Sequence, residues 1–123
     1  MNKYLKLARE AYQIADSKKA LKPALLNVAR LTAVADYFLI VTGESSPQIK
    51  AIAESIYKTF RDSYGILPAH RDGIGSMNWS VIDYGGLVVH IMNPESRNIY
   101  ALEKIWHAAK KVSPVRTRRA PKQ

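Results

Sequence analysis

Trp79-Ser80-Val81-Ile82-Asp83-Tyr84-Gly85-Gly86-Leu87-Val88-Val89-His90-Ile91-Met92 reads as two strands and a tight turn. Trp79 to Tyr84 and Leu87 to Met92 are strand-like runs, and Gly85-Gly86 offers two positions that can both take positive φ, as primed hairpin turns require. A turn there sets the register: Tyr84 faces Leu87, Asp83 faces Val88, Ile82 faces Val89, Val81 faces His90, Ser80 faces Ile91 and Trp79 faces Met92. Side chains alternate across a strand, so these pairs fall on two faces. Ile82, Leu87, Val89 and Ile91 make one face aliphatic, a natural core side. Trp79, Val81, Asp83, Val88, His90 and Met92 make the other, mixing indole, thioether, imidazole and carboxylate. Either helices cover both faces and His90 is an interior histidine with its needs met, or the mixed face docks another protein, since Trp, Met and aromatic side chains with an isolated charge are what interface centres favour.

Upstream, Asp36-Tyr37-Phe38-Leu39-Ile40-Val41-Thr42 is a second strand run that ends at Gly43. Ser45-Ser46-Pro47 then starts a helix, with a serine cap and a proline where a missing N–H costs nothing. Ile49, Ile52, Ala53, Ile56, Phe60 and Tyr64 keep to one stripe, and Gly65 sits where a left-handed stop is expected. Tyr4, Leu7, Ala8, Ala11 and Ala15 give residues 3–19 an amphipathic pattern, and Ala24 to Val28 is a further strand. Residues 66–78, punctuated by Pro68, Gly73 and Gly75, read as a short strand at most and then a loop. Beyond the hairpin, Asn93-Pro94 repeats the cap-plus-proline signal, and Ile99, Leu102, Trp106 and Ala109 predict the buried stripe of a last helix. The order αββα, an uncertain β, then ββα predicts an α/β fold: one domain with a mixed β-sheet and flanking helices.

The chain has 123 residues, 47% of them hydrophobic, enough for one packed core and little more. Its net charge of +9 is lopsided. Lys110, Lys111, Arg116, Arg118, Arg119 and Lys122 fall in a stretch without an acid; removing those six from the 19 basic residues leaves 13 against 10 acids in the rest. The expected division is a domain over residues 1–109 and a basic tail over 110–123, kept disordered by charge and by Pro114 and Pro121. Those six side chains are the candidates for contact with RNA phosphates. There are no cysteines, which excludes disulfides, thiolate catalysis and cysteine-based zinc sites. His70, His90 and His107 form no H-x-x-x-H pair, so no metal and no cofactor is expected. With no run of 18 apolar residues and no signal-peptide core, the expectation is a cytoplasmic protein without membrane contact.

A strand ending at Gly43 before a serine-capped helix could hold an anion, yet the spacing is neither a P-loop nor a dinucleotide fingerprint. A nucleotidyltransferase would need paired carboxylates for two metal ions, and Asp62, Asp72 and Asp83 are scattered. An enzyme of that type is thus an alternative without its catalytic residues. A general RNA-binding module is the other, suggested by the tail but not by the body, where the aromatics fall in core stripes.

Three ordered motifs carry a resemblance. Asp36-Tyr37-Phe38-Leu39-Ile40-Val41-Thr42-Gly43-x-Ser45-Ser46-x-Gln48-Ile49, Trp79-x-x-x-Asp83-Tyr84-Gly85-x-x-Val88-Val89-His90-Ile91-Met92 and Glu95-Ser96-Arg97-x-x-Tyr100-x-Leu102-Glu103-x-Ile105-Trp106 resemble the ribosome silencing factor family, also called RsfS, Iojap or YbeB. The resemblance runs from about Lys3 to Trp106. It implies a non-enzymatic, homodimer-capable fold like that of nucleotidyltransferases without their catalytic carboxylates. It also implies binding to the large ribosomal subunit through ribosomal protein L-fourteen, so that the small subunit cannot join and translation is repressed. Carried over by position, Trp79, Tyr84 and Met92 match family positions at or near the docking surface, with Asp83 in the same motif; His90 and Arg97 take structural or rim roles. The basic tail lies outside the resemblance, and His70-Arg71 stands where family members are frequently more acidic.

Overall fold

A computed structural model describes residues 3–73, 78–100 and 110–114. Helix α1 (Lys3–Ser17) precedes strands β1 (Leu21–Asn27) and β2 (Tyr37–Thr42). Helix α2 (Ser46–Tyr64), strand β3 (His70–Asp72) and the hairpin β4 (Trp79–Asp83) and β5 (Leu87–Met92) follow, then helix α3 (Pro94–Tyr100) and strand β6 (Lys110–Lys111). The strands form one six-stranded sheet in the order β3-β4-β5-β2-β1-β6. β2 and β5 run parallel, Tyr37 beside Leu87 through Thr42 beside Met92, and every other neighbouring pair is antiparallel. The sheet is therefore mixed, as the element order predicts.

The hairpin register is the one read from the sequence, from Trp79 beside Met92 to Asp83 beside Val88, with the Tyr84 N–H donating to the Leu87 carbonyl at 2.8 Å. Only Gly85 uses its freedom, at φ 90°. Gly86 is needed for space, because a Cβ there would overlap the Tyr4 ring of α1. Helix α2 is punctuated as its sequence predicts. Ser45 Oγ accepts from the Gln48 N–H at 3.2 Å, Pro47 sits in the first turn, and Gly65 closes the helix at φ 66° with its N–H on the Arg61 carbonyl. Asn93 caps α3, its Oδ1 accepting from the Ser96 N–H at 2.7 Å. The further run of that helix through Leu102, Trp106 and Ala109 lies outside the described residues.

Helices α1 and α2 share one face of the sheet. Leu7, Ala8, Ala11 and Ala15 of α1 and Ile49, Ile52, Ile56 and Phe60 of α2 pack with Leu39, Val41, Ile82, Leu87, Val89 and Ile91 in the main core. A smaller apolar cluster occupies the opposite face: Leu26, Val28, Ala35, Phe38, Ile40 and Met92, with Trp79 and Val88 packed against it.

The α1–β1 turn is strained. Helix α1 ends with the Ala20 N–H on the Ala15 carbonyl at 3.0 Å and the Lys19 N–H on the Asp16 carbonyl at 2.9 Å, a Schellman pattern whose left-handed position usually holds glycine. Here it holds Lys19, at φ 65°. Three residues on, Lys22 takes φ 47° inside a bulge, where the register of β1 against β2 shifts between Leu21 and Ala24. Each left-handed non-glycine residue costs about 1 to 2 kcal/mol. Gln48 of α2 steadies the turn by donating to the carbonyls of Lys18 and Lys19, both at 3.0 Å.

The tail begins later than composition suggests. Lys110 and Lys111 do not start a free segment; they pair with Asn27 and Leu26 as the edge strand β6, and the Val112 N–H donates to the Leu25 carbonyl at 2.8 Å. The open edge of β1 supplies unpaired backbone groups, and satisfying them does not depend on side-chain type. Ser113 and Pro114 are tethered to α1 through their carbonyls, which accept from Arg9 Nε at 3.0 Å and Gln13 Nε2 at 3.3 Å. Arg116, Arg118, Arg119 and Lys122 lie outside the described residues.

Candidate protein-docking face

The face opposite α1 and α2 brings the sequence-derived candidates together in part. Alternation along β4 puts Trp79, Val81 and Asp83 on it, half-buried, while Ser80 and Ile82 are buried toward the helices. Cross-strand pairing sets His90 beside Val81, and the parallel β2 adds Phe38 and Ile40 next to Val88 and His90.

Trp79 and His90 are joined. The indole N–H donates to His90 Nδ1 at 3.2 Å, and the Phe38 ring meets the imidazole edge-on with centroids 5.2 Å apart. Nδ1 accepts, so the neutral ring carries its proton on Nε2, which is buried with no partner. Burial drives the His90 pKa down to about 4, against a weaker upward pull from the Asp83 carboxylate. The imidazole is thus neutral at physiological pH; Asp83 supplies the formal charge of β4 and β5 on this face, and Asp72 of β3, paired with Val81, adds a second carboxylate. Asp83 Oδ1 also accepts the Gly85 N–H at 2.7 Å, which fixes that carboxylate beside the turn.

Two of the sequence-derived contacts are corrected by burial. Tyr84 lies on the opposite face, 6% exposed in the main core, with its ring 5.0 Å from that of Phe60. The alternation that exposes Asp83 turns its neighbour inward. The hydroxyl is buried without a hydrogen bond, and burial pushes its pKa up to about 12. Met92 is on the same face as Trp79 but fully buried, within the cluster of Leu26, Phe38 and Ile40. Both pack inside the protein, leaving Trp79, Val81 and Asp83 of β4 with Val88 and His90 of β5 as the half-exposed part of the face.

Phe38 is the contributor that sequence reasoning missed. Its alternation along β2 is visible in the sequence, but the parallel pairing that sets it against His90 is not. At the same end of the sheet as Asp83, the β1–β2 loop exposes Leu31 (43%) and Val34 (73%), held there by the Asp36 and Tyr37 N–H groups on the Gly86 carbonyl. Arg97 of α3 donates to Thr42 Oγ1 at 3.0 Å, a structural role. Elsewhere, on β3 and α2, Arg71 bonds Glu54 at 2.8 Å and stacks on the Tyr57 ring. Among the described residues no three His, Asp or Glu side chains stand together as metal ligands, and no helix is long and apolar enough to cross a membrane.

A mixed sheet with two helices on one face and a cluster around Trp79 on the other defines a single-domain α/β protein. The chain belongs to the family described as ribosomal silencing factor during starvation, whose model matches residues 2–123. It is 38% identical over 102 residues to the ribosomal silencing factor RsfS of Bacillus subtilis, covering 83% of each protein. A crystal structure of a Chromobacterium violaceum protein superimposes with a TM-score of 0.81 at 27% identity over 92% of both chains. A mouse protein named mitochondrial assembly of ribosomal large subunit protein 1 is 32% identical over 77 residues, 58% of this chain and 32% of its own length.

Proposed function

We propose that the chain binds the large ribosomal subunit through ribosomal protein L-fourteen and, by occupying the intersubunit side, keeps the small subunit from joining. The observation that carries this reading is the two-sided sheet: α1 and α2 cover one face, and the other presents a half-buried Trp79 held by His90, with the carboxylates of Asp83 and, on the neighbouring β3, Asp72 on the same side. An aromatic anchor is where interface energy concentrates, and negative charge beside it selects a basic partner and sets its orientation. The names of the relatives agree with a ribosomal partner. Occlusion needs no chemistry: an interface of roughly 1,600 Å² is enough for tight binding while the rest of the body stands in the way. The protein works in the cytoplasm, has a fold capable of pairing as a homodimer, and uses the basic residues from Arg116 onward to add contact with ribosomal RNA.

Sucrose-gradient sedimentation tests the central claim. Purified large and small subunits mixed with the protein should stay apart, with the protein travelling on the large subunit; full association in its presence, with the protein at the top of the gradient, would overturn it.

A further inference from the structure

Two lysines occupy left-handed backbone positions that glycine would fill without strain. Lys19 stands at the left-handed site of the α1 Schellman turn and Lys22 in the β1 bulge, at φ 65° and 47°. Both side chains are exposed, as is that of Lys18 between them and the helix. Strained residues persist where their side chains are wanted, and here what the side chains share is positive charge. The turn is also rigid, because Gln48 of α2 bonds the carbonyls of Lys18 and Lys19. Asp16 and Glu44 are the exposed acids close by in sequence to the turn and to Gln48.

We infer that Lys18, Lys19 and Lys22 form a contact for the phosphate backbone of folded RNA. This deepens the ribosome-binding reading and rests on it for the source of the RNA. Compact ammonium groups on a fixed turn suit phosphates as point charges. The turn has no aromatic anchor and one exposed apolar side chain, Leu21, so it lacks what a protein interface centre uses.

The test compares the full chain with K19G/K22G and K19R/K22R, by thermal melting and by binding to purified large subunits and to a short fluorescein-labelled RNA duplex across a salt series. Glycine relieves the backbone, so K19G/K22G should melt no lower than the parent. It should nonetheless bind both RNA and subunits about three- to tenfold more weakly, with a salt slope shallower by about 1 to 2, while K19R/K22R binds like the parent. Unchanged affinity and slope in K19G/K22G would overturn the inference, as would a lower melting point, which would make the lysines structural. So would polyglutamate competing better than RNA, which would identify an acidic protein as the partner. Binding of the parent to the RNA duplex but not to large subunits would sink the ribosomal reading and leave this contact standing.

Discussion

The indole of Trp79 and the imidazole of His90 are one unit on the sheet surface, joined by a 3.2 Å hydrogen bond across the β4–β5 pair. Removing the indole should therefore act in two ways. Trp79→Ala should weaken binding to the large subunit by about 2 kcal/mol or more, the loss expected of a central aromatic anchor. It should also lower the melting point while leaving the domain folded, because the side chain is only half-buried. Circular dichroism melts beside subunit pulldowns check both, and full binding by the folded variant would remove Trp79 from the docking face.

Asp83 needs a pair of substitutions, because its carboxylate serves the turn as well as any partner. Asp83→Asn keeps an oxygen for the Gly85 N–H but loses the charge, whereas Asp83→Lys loses both and reverses the sign. Binding should fall in the order parent, Asn, Lys, with the Asn variant melting within about 1 kcal/mol of the parent, as expected where one hydrogen bond is kept. Equal binding of all three on large subunits would show that no basic group faces this carboxylate.

His90 makes stability depend on pH. Its folded pKa of about 4 lies below the ordinary histidine value of 6.5, so between the two the unfolded chain holds the extra proton and acid favours unfolding. The contribution is whole above about pH 6.5 and is lost as pH falls toward 4, for a total of roughly 3 kcal/mol at most. Urea titrations across that window should show the slope in the parent and a flatter one in His90→Gln; parallel curves would mean that the imidazole is not desolvated.

Tyr84 allows a prediction in the opposite direction. Its buried hydroxyl has no hydrogen-bond partner, so Tyr84→Phe should be neutral or stabilising by up to about 1 kcal/mol. Subunit binding should not change. A marked loss of binding by the folded variant would return Tyr84 to the docking surface.

Removing residues 115–123 leaves β6 and the tethered Ser113 and Pro114 in place. Binding to isolated ribosomal protein L-fourteen should be preserved and binding to whole large subunits weakened, with a salt dependence flatter by about 0.7 to 0.9 for each phosphate that the segment neutralises. Identical affinity and slope would make the segment a solubilising tail.

Most of the fold is legible in the sequence because its signals are local. Ser45, Pro47 and Gly65 bound α2 through the chain's own backbone chemistry, and Gly85-Gly86 sets a register that alternation then carries to Trp79 and Met92. The site is legible only as a face. Alternation sorts side chains by direction but does not say which are covered, so it groups Met92 with Trp79 although Met92 is wholly buried. Motif adjacency places Tyr84 beside Asp83, against the alternation that turns it inward. Lys110 and Lys111 carry no strand pattern at all. Their pairing answers the open edge of β1, a need that arises only once β1 and β2 have met.

Gly86 seats the Tyr4 ring of the first helix against the turn of the β4–β5 hairpin, and β2 lies parallel to β5. During synthesis the N-terminal helix thus leaves the ribosome well before its seat exists, and β2 waits some fifty residues, by the separation of Tyr37 from Leu87, for one of its two neighbours. Assembly of the sheet is held back until the hairpin has been made, and the apolar faces of α1 and β2 stay open to other chains meanwhile. A protein of a family named for silencing ribosomes thus completes its own core only late in its translation.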